Sequence, residues 1–487
     1  MLGGVYVSNS SDSPIYAKTA DKLKISVEEN SYNEIADKRA LKTSDSDETG
    51  SAAIFAECDV SVSGKGTLVV TSGYNNGIGT KDDLKLKELT LKVTCPDNCL
   101  KGSDSLSVES GKYLLISTSG DGLKTSNSDV SSKGNQRGTV TISGGVFEIY
   151  AGCDGIDAAY DLVVSGNPSI TINTNSYSEY TDESLLKTAS SSGGSQQTPG
   201  WFFPGQGGRP GGMGGPGGMG GGTNISNRAS ESAKGLKADN EIKISGGIIL
   251  ANCRDDGIHA NSDVQLENGK KGAGNVTISG GNVTLNVTDD GIHADGTLLI
   301  SDGTVTVSNS YEGLEGHLIN IEGGTVNVYA TDDGINAQSS GSGKSDGLIT
   351  VSGGKVFVEV YGNDVDGIDS NGSYKQTGGL VITSDPRANS AGTAAAVDTD
   401  AGITVTGGTL VALGTVPSGG GFGGRPGMGG GFSSALPSGY VTFTGTLDAG
   451  EHTFTFGDIT ATFTLKNRVS SGWLWAEGIS SGNYTLK

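Results

Sequence analysis

Runs of alternating apolar and polar residues recur along the chain and are typical of β-strands. VTISGG stands at 140–145 and again at 276–281, and IKISGG at 242–247 ends in the same Gly-Gly pair. A second alternating run follows such a pair, as in NVTLNV at 282–287. Alternation with a period of two indicates a strand with one buried face, and paired glycines indicate a bend. Each repeat therefore predicts two strands separated by a Gly-Gly bend.

A second signature, Asp-Asp-Gly-Ile, recurs in step with these strands. It is written RDDGIHANSD at 254–263, TDDGIHADGT at 288–297 and TDDGINAQSS at 331–340. We name the position of its glycine the Gly column, whose members are Gly77, Cys99, Gly122, Gly155, Gly235, Gly257, Gly291, Gly313, Gly334, Gly367 and Ala396. Neighbouring members lie about 22 residues apart (313 − 291 = 22) except where an insertion intervenes. This period indicates a repeat protein.

The residue after the Gly column is apolar in every repeat. These residues are Ile78, Leu100, Leu123, Ile156, Leu236, Ile258, Ile292, Leu314, Ile335, Ile368 and Val397. We expect them to point inward, and we name them the inward column. Short strands with glycine at the bends, repeated every 22 residues or so, predict an all-β protein folded as a parallel β-helix, a solenoid of about 22-residue coils. Leucine-rich, propeller and nonapeptide repeats fit worse, because their signatures or periods are absent.

The ends of the chain and its insertions differ from the coils. Segments 13–30 and 51–70 are predicted to be earlier, degenerate coils, so that a β-helix domain spans 1–437. Residues 438–487 break the period and predict a β cap over the exposed edge of the last coil. Two insertions too rich in glycine and proline to pack interrupt the domain, at about 173–232 and 417–432.

Composition and charge exclude several classes of partner. The 487 residues include 82 glycines and carry a formal net charge of -21, with only 6% aromatic residues. An acidic chain of this kind is expected to bind neither nucleic acid nor an anionic membrane, and no apolar run is long enough to span a bilayer. It would also repel an acidic polysaccharide unless cations intervene. We expect a monomer that binds such a polysaccharide only when cations are present.

Carboxylates cluster just before the Gly column, and we name this position the acidic column. It holds an acid in five successive repeats, from Asp256 to Asp366. Equivalent residues of stacked coils lie about 4.8 Å apart, so these carboxylates would repel one another without a cation between them. Ca²⁺ accepts irregular sites with several carboxylates. The predicted ligands are Asp121, Asp154, Asp157, Asp255, Asp256, Asp289, Asp290, Glu312, Asp332, Asp333 and Asp366.

Turn formation is the alternative explanation for the same acids. Asp-Gly is a favourable turn pair, and an Asp side chain can bond the nearby backbone without any metal. In a single coil the two explanations are equally good. Five acidic coils in succession favour calcium.

A polar column lies two residues past the Gly column and includes Lys124, Asp157, Lys237, His259 and His293. It alternates with the inward column, so we expect it to face solvent on a ligand-binding sheet. His259 and His293 fall in neighbouring coils. Zinc is conceivable there, but two histidines without an evident third ligand are weak evidence. Solvated residues that contact a carbohydrate are the better interpretation.

The repeats resemble a known family. The rows VTISGGVFEIYAGCDGIDA at 140–158, VTISGGNVTLNVTDDGIHADG at 276–296 and ITVSGGKVFVEV at 349–360 look like a clostridial carbohydrate-binding (cellulose- and pectin-binding) family. Members of that family are right-handed parallel β-helices that resemble polysaccharide lyases. The resemblance implies a right-handed coil, Ca²⁺ on the helix, a plant cell-wall polysaccharide as partner, and an extracellular or bacterial cell-surface location. Cys99, Lys234 and Ala396 depart from the column pattern, which puts calcium at those coils in doubt.

Three functions of different classes follow. The first is a binding protein in which Ca²⁺ bridges Asp side chains to pectin or polygalacturonate, with cellulose as a further candidate. The second is a calcium-dependent lyase in which Lys124, or secondly Lys237, acts as the base, although nearby carboxylates would raise the lysine pKa and suit a salt bridge better. The third is a structural or adhesive surface protein. We favour binding, and an enzyme is the less expected outcome.

Aromatic residues give little support for cellulose, which usually requires flat rows of rings. Trp201 lies in the longer insertion and is a candidate for stacking on a sugar. Trp473 and Trp475 alternate in the predicted cap and are expected to be core residues. An acidic, pectin-like ligand is therefore preferred.

Overall fold

The structure is a computed structural model, and it describes eight stretches of the chain. These are residues 1–43, 50–174, 232–262, 265–266, 269–362, 365–388, 394–415 and 436–487. They form strands and turns without a helix, which confirms the all-β prediction. Within these stretches, no helix is long and apolar enough to cross a membrane. The predictions for the two Gly-rich insertions, including Trp201, fall largely or wholly outside the described residues.

Thirty-eight strands make up the described structure. In chain order they are β1 Tyr6–Asn9, β2 Ile15–Ala17, β3 Lys22–Val27, β4 Tyr32–Asp37, β5 Ala52–Ala56, β6 Asp59–Gly64, β7 Thr67–Ser72, β8 Asn76–Thr80, β9 Asp83–Lys87, β10 Thr90–Cys95, β11 Leu100–Gly102, β12 Ser105–Val108, β13 Lys112–Ser117, β14 Leu123–Lys124, β15 Thr139–Ile142, β16 Val146–Tyr150, β17 Ile156–Ala158, β18 Asp161–Val164, β19 Ser169–Asn173, β20 Leu236–Ala238, β21 Glu241–Cys253, β22 Ile258–Ala260, β23 Asn275–Val287, β24 Ile292–Asn309, β25 Leu314–Ile321, β26 Thr325–Ala330, β27 Ile335–Ala337, β28 Gly347–Val351, β29 Lys355–Val360, β30 Ile368–Ser370, β31 Gly372–Ser384, β32 Asp398–Thr399, β33 Gly402–Leu413, β34 Val441–Leu447, β35 Gly450–Phe456, β36 Ile459–Leu465, β37 Val469–Ala476 and β38 Tyr484–Leu486.

Strands β1 to β33 pair in three parallel ladders, each linking one repeat to the next. One ladder carries the inward column, as in Ile258 paired with Ile292. The second carries the strand before the Gly-Gly bend, as in Val276 paired with Leu298, and the third carries the strand after it, as in Val283 paired with Val305. Successive repeats therefore stack as coils of about 22 residues with insertions between them.

The core is built from the inward column and its neighbours. All eleven inward-column residues, from Ile78 to Val397, are at most 2% exposed, which confirms their predicted direction. They belong to one hydrophobic cluster that runs through the stack. Full burial of an Ile or Leu side chain contributes roughly 1.5–3 kcal/mol relative to exposure, so this column is a main source of stability.

Close packing between coils favours glycine at most positions of the Gly column, although Cys99 and Ala396 occupy two of them. A Cβ on Gly257 would lie 2.6 Å from the carbonyl oxygen of Gly291, and one on Gly313 would lie 2.3 Å from that of Gly334. By contrast, the second glycine of a Gly-Gly pair has a positive φ, as at Gly281 with 89°. The two glycine signatures thus serve different needs, space between coils and a left-handed bend.

The cap covers the end of the third ladder. β37 pairs antiparallel with both β33 and β34, while β35 pairs with β36 and β38 in a separate sheet. A second hydrophobic cluster joins the last coils to the cap through residues such as Val411 and Phe454. Trp473 is buried and Trp475 packs against the core, as expected for core residues.

Candidate functional site

The acidic column has a structural role along the stack. At most junctions between neighbouring coils, but not after Lys234 or Glu312, Oδ1 of the acidic-column residue accepts a hydrogen bond from the backbone N–H of the next member. Asp121 accepts from Asp154 at 2.9 Å, and Asp333 accepts from Asp366 at 2.7 Å. Asn98 serves Asp121 in the same way at 3.2 Å. The neutral amide oxygen of Asn98 is sufficient for this bond. The bond therefore explains why the acidic column has side chains of the length of Asp or Asn, but not why most of them are charged.

The second carboxylate oxygen has different partners in different parts of the stack. In the first part it meets lysines, and we name Asp121, Asp154, Asp157, Asp255 and Asp256 the lysine-paired segment. The Nζ atom of Lys124 lies 2.7 Å from Asp121 and also contacts Asp157. Lys237 lies 3.4 Å from Asp157 and 3.9 Å from Asp154.

Lys234 completes this segment. Its Nζ atom lies 2.8 Å from Asp255 and 2.7 Å from Asp256. The lysine that interrupts the acidic column therefore supplies a positive charge to the next coil. Asp289 lies beyond it at the surface, and partial desolvation of its carboxyl group, with the charges of Asp290 and Asp256, raises its pKa to about 6.

The salt bridges of Lys124 and Lys237 affect the pKa values of both lysines. Burial opposes the charged form of Lys124, but Asp121 and Asp157 raise its pKa well above the usual range. Burial also opposes the charge of Lys237, whose pKa Asp157 and Asp154 nevertheless raise. A general base must be deprotonated near neutral pH. These salt bridges therefore disfavour Lys124 and Lys237 as the base of a lyase.

Two histidines occupy the middle of the stack and stack on each other. The rings of His259 and His293 are 4.4 Å apart between centroids and inclined by 9°. Nδ1 of His259 lies 2.5 Å from Asp256, and Nδ1 of His293 lies 3.0 Å from Asp290 and 2.9 Å from Glu315. Burial opposes protonation, but the surrounding carboxylates raise the pKa of His293 to about 12 and that of His259 above its usual value.

A carboxylate that the sequence did not single out faces the other edge of both rings. Oδ1 of Asp295 lies 3.7 Å from Nε2 of His259 and 3.2 Å from Nε2 of His293. Its other oxygen accepts a hydrogen bond from the backbone N–H of Ser262 at 2.6 Å. Asp295 stands two residues after His293 in one strand, and this spacing places both side chains on one face. The spacing of two residues from His293 could therefore have identified Asp295 from the sequence.

The last part of the stack holds three further half-buried acids, and we name Glu312, Asp366 and Asp369 the lysine-poor segment. In the described part of the chain, no lysine, arginine or histidine lies within 4.0 Å of the carboxylates of Glu312, Asp366 or Asp369. Burial and the charges of Glu315 and Asp290 raise the pKa of Glu312 to about 9.

The same holds further along the segment. Burial and the charges of Asp333, Asp398 and Asp369 raise the pKa of Asp366 to about 9. Burial, followed by Asp333 and Asp398, raises that of Asp369 to about 7. The carboxylates here are thus costly to ionise together. Asp332, also predicted as a ligand, is half-buried beside Asp333.

The polar column does not face open solvent as predicted. Asp157, Glu315 and Asn336 are buried, with 8%, 4% and 6% exposure. The side chains of His259 and His293 are 13% and 25% exposed. Polar-column residues pack against those of the adjacent coils and against the acidic column, and this double contact excludes water. His259 and His293 consequently present little surface for a sugar.

Exposed aromatic rings near the lysine-poor segment are additional candidates for sugar contact. Tyr311 is 49% exposed and directly precedes Glu312, and Tyr361 is 40% exposed. The guanidinium of Arg387 lies 4.1 Å from the ring centroid of Tyr361. Sequence reasoning missed both tyrosines because tyrosine also occurs in buried strand positions, such as Tyr374.

Comparisons with known proteins identify a family for the chain. The model of a family described as carbohydrate-binding domain-containing protein matches residues 1–272 and 267–316. A relative from Acetivibrio thermocellus with the same description is 37% identical over 87 residues, which are 18% of this chain and 30% of the relative. The matched segment therefore spans less than a third of that relative's length.

Among solved structures, a polysaccharide lyase-like protein from C. thermocellum, described as a gadolinium derivative, is similar in sequence. It is 30% identical, with a TM-score of 0.32, over 35% of this chain and 68% of that chain. The family match extends over more than half of the 487 residues. The chain therefore belongs to the family of carbohydrate-binding domain-containing proteins.

Proposed function

We propose that the protein binds an acidic plant cell-wall polysaccharide, such as polygalacturonate, through calcium ions held by the lysine-poor segment. The observation that carries the proposal is the set of partly buried carboxylates there, Glu312, Asp366 and Asp369, whose pKa values are raised and beside which the described residues place no cationic side chain. We further propose that the stacked coils form a right-handed parallel β-helix with its long face along the polymer.

Electrostatics supports a divalent ion at this segment. Two carboxylates about 5 Å apart repel by roughly 3 kcal/mol at an effective dielectric constant near 20. A divalent cation between them converts that repulsion into attraction, and Ca²⁺ takes six to eight oxygen ligands from flexible sites. In the lysine-paired segment the ammonium groups already neutralise the acids. Calcium is therefore proposed for Glu312, Asp366 and Asp369 rather than for Asp121, Asp154 and Asp157.

The charge of the whole chain supports a cation-dependent partner. At a net charge of -21 the protein repels a polyuronate, and bound Ca²⁺ would supply local positive charge while accepting uronate oxygens. Tyr311 and Tyr361 offer rings on which neutral sugar faces could stack. Because such polymers lie outside bacterial cells, we propose an extracellular or cell-surface location.

Retention on polygalacturonate tests the proposal. The full chain is incubated with the insoluble polymer in the presence of Ca²⁺ or a chelator, and the bound fraction is measured. We expect retention to require Ca²⁺ and to fall at least tenfold in Asp366→Asn with Asp369→Asn. Asp255→Asn is the matched control, because it removes one carboxylate that Lys234 already neutralises. Retention that is indifferent to the chelator would contradict the calcium bridge.

Lyase activity is a second candidate because of one lysine. Burial, together with the positive charge of Lys124, lowers the pKa of Lys101, which lies in the coil before Lys124. A lysine of lowered pKa can act as a base, unlike Lys124 or Lys237. The same incubation, followed by the absorbance of the unsaturated product, tests it. A rise that disappears in Lys101→Met supports a lyase, and unchanged absorbance supports binding alone.

A further inference from the structure

We propose that Cys95 and Cys99 become joined by a disulfide when the protein folds under oxidising conditions, and that this bond closes the corner formed by residues 96–98. Both cysteines are buried thiols in this structure, and their Sγ atoms lie 3.7 Å apart. Sulfur atoms at this distance are in contact but not bonded, because a disulfide bond is about 2.05 Å long. The proposal is independent of the calcium sites and of the glycan.

The next coil holds its corner with a hydroxyl group where this coil has a thiol. Ser117 is the register partner of Cys95. Its hydroxyl donates to the carbonyl oxygen of Asp97 at 2.6 Å and accepts the backbone N–H of Gly120 at 2.8 Å. Sγ of Cys95 lies 3.1 Å from the same carbonyl oxygen, but a thiol is only a weak hydrogen-bond donor. A covalent bond would supply the constraint that the thiol provides weakly.

Cys99 places a side chain where the two adjacent coils have none. Gly77 and Gly122 occupy the same column, and a Cβ on either would overlap a methyl group, of Val93 in the first case and of Ile149 in the second. The side chain of Cys99 is nevertheless fully buried in this crowded column. A bond to the thiol four residues earlier gives it a use that glycine cannot fulfil.

The bond forms by exchange with an oxidant that itself contains a disulfide, such as oxidised glutathione. One cysteine thiolate attacks a sulfur of the oxidant and releases one glutathione thiolate. The other cysteine thiolate then displaces the second glutathione from the mixed disulfide. The two cysteines together lose two protons and two electrons, and the oxidant is reduced to two thiols.

Burial determines when this exchange can occur. Desolvation, followed by the hydrogen bond with Cys95, holds the pKa of the Cys99 thiol well above its usual range. Because the thiolate is the attacking species, the thiols of the folded chain react slowly. The disulfide therefore forms while the corner is still open during folding, and burial then shields it from reductants.

The closed corner contains a residue that links neighbouring coils. The side-chain amide of Asn98 donates to Oδ1 of Asn76 at 2.8 Å, and its oxygen accepts the backbone N–H of Asp121 at 3.2 Å. These three residues are successive members of the acidic column, which changes here from Asn to Asp. The disulfide would hold the amide of Asn98 in place between the two coils.

Peptide mapping of the full chain tests the bond. The reduced, unfolded protein is refolded in a mixture of reduced and oxidised glutathione, alkylated with iodoacetamide in denaturant, and digested with trypsin. Cleavage after Lys92 and Lys101 releases both cysteines in one peptide, residues 93–101. We expect this peptide to escape alkylation and to be about 2 Da lighter than its dithiol form. The other three of the five cysteines should be alkylated.

The synthetic peptide 93–101 is the reference, because closely spaced cysteines can also form a disulfide without the fold. At the same glutathione ratio, the ratio of disulfide to dithiol should be at least about tenfold higher in the full chain, since the fold holds the sulfur atoms in contact. A smaller difference, or an alkylated peptide 93–101 from the refolded chain, would overturn the proposal. This comparison uses the wild type and does not depend on the folding of a variant.

Cys253→Ala is the matched control. Cys253 is as deeply buried as Cys99 but belongs to a distant coil. Its substitution should leave the disulfide in place and lower the number of alkylated cysteines from three to two. In Cys95→Ser all four remaining cysteines should be alkylated. Fewer than four would show that Cys99 pairs with a different cysteine, and the proposed pairing would then be wrong.

Discussion

The lysine-paired and lysine-poor segments make the same backbone hydrogen bond between coils. They differ in whether a lysine lies beside the remaining carboxylate oxygen. In both, one oxygen of the acidic column accepts the N–H of the next coil, as in Asp121 with Asp154 and Asp366 with Ala395. In the first, Lys124, Lys234 and Lys237 neutralise the remaining oxygens. In the second, burial and mutual repulsion raise the pKa values of the acids.

The comparison separates a structural requirement from a chemical one. Stacking requires a side chain that places a hydrogen-bond acceptor at the right distance from the backbone, and either Asn or Asp does so. The negative charge is surplus to that need and must be compensated. Where the chain supplies the cation itself, the acids are structural, and where it does not, they are proposed to take the cation from solution.

Removing the ammonium group of Lys124 should change the stability of the protein more than any other substitution considered. In Lys124→Met the buried carboxylates of Asp121 and Asp157 lose a common partner. We expect a loss of about 3–5 kcal/mol in the free energy of unfolding, measured by denaturant titration, because breaking a buried pair leaves uncompensated charge. Added Ca²⁺ should recover part of the loss, since the variant converts a lysine-paired site into a lysine-poor one.

An exposed pair supplies the control for that variant. Lys85 contacts Glu109 on the surface, with 50% and 37% exposure of the side chains. Lys85→Met should cost no more than about 1 kcal/mol. Equal losses in the two lysine variants would show that the lysine-paired segment is as well solvated as the surface.

Enlarging the Gly column should affect both segments equally. A Cβ on Gly155 would lie 2.7 Å from the carbonyl oxygen of Gly235, and one on Gly334 would lie 2.5 Å from that of Gly367. Gly155→Ala and Gly334→Ala should each cost about 1–3 kcal/mol through overpacking, read as a lower denaturation midpoint. A loss confined to one of them would mean that the coils are not equally close in the two segments.

The pH dependence of the calcium-free protein should show the smallest effect. The folded pKa values of Glu312 and Asp366, about 9, exceed the usual 4.5 and 3.8, so the folded state binds more protons between these values. Stability should fall as pH rises from about 5 to about 9, by about 1 kcal/mol, because both groups are partly exposed.

Calorimetry with a chelator at the two pH values measures this slope. Asp366→Asn should flatten it, since the amide does not titrate, whereas Asp255→Asn, which removes an acid paired with Lys234, should leave it in place. Saturating Ca²⁺ should also flatten it in the wild type. An Asp366→Asn protein with the wild-type slope would refute the assignment of the raised pKa to this carboxylate.

The sequence predicted the repeat and its inward face because both depend on spacing alone. The coils repeat one pattern of apolar positions and, except at Cys99 and Ala396, of glycine positions, and stacking preserves that pattern, so Ile258 and Ile292 had to meet. It also predicted which acids share a column. The strand bounds and the antiparallel joint between the cap and the last coil did not follow from the period.

The sequence by itself thus determined the periodic all-β stack and the alignment of its acidic, polar and apolar columns. Only the tertiary structure decided which oxygen of each acid faces which cation, that the polar column is largely buried, and that Asp295 meets both histidines. The physical reason is that alignment along a stack follows from period, whereas contacts between columns depend on side-chain direction and on the shape of the coil.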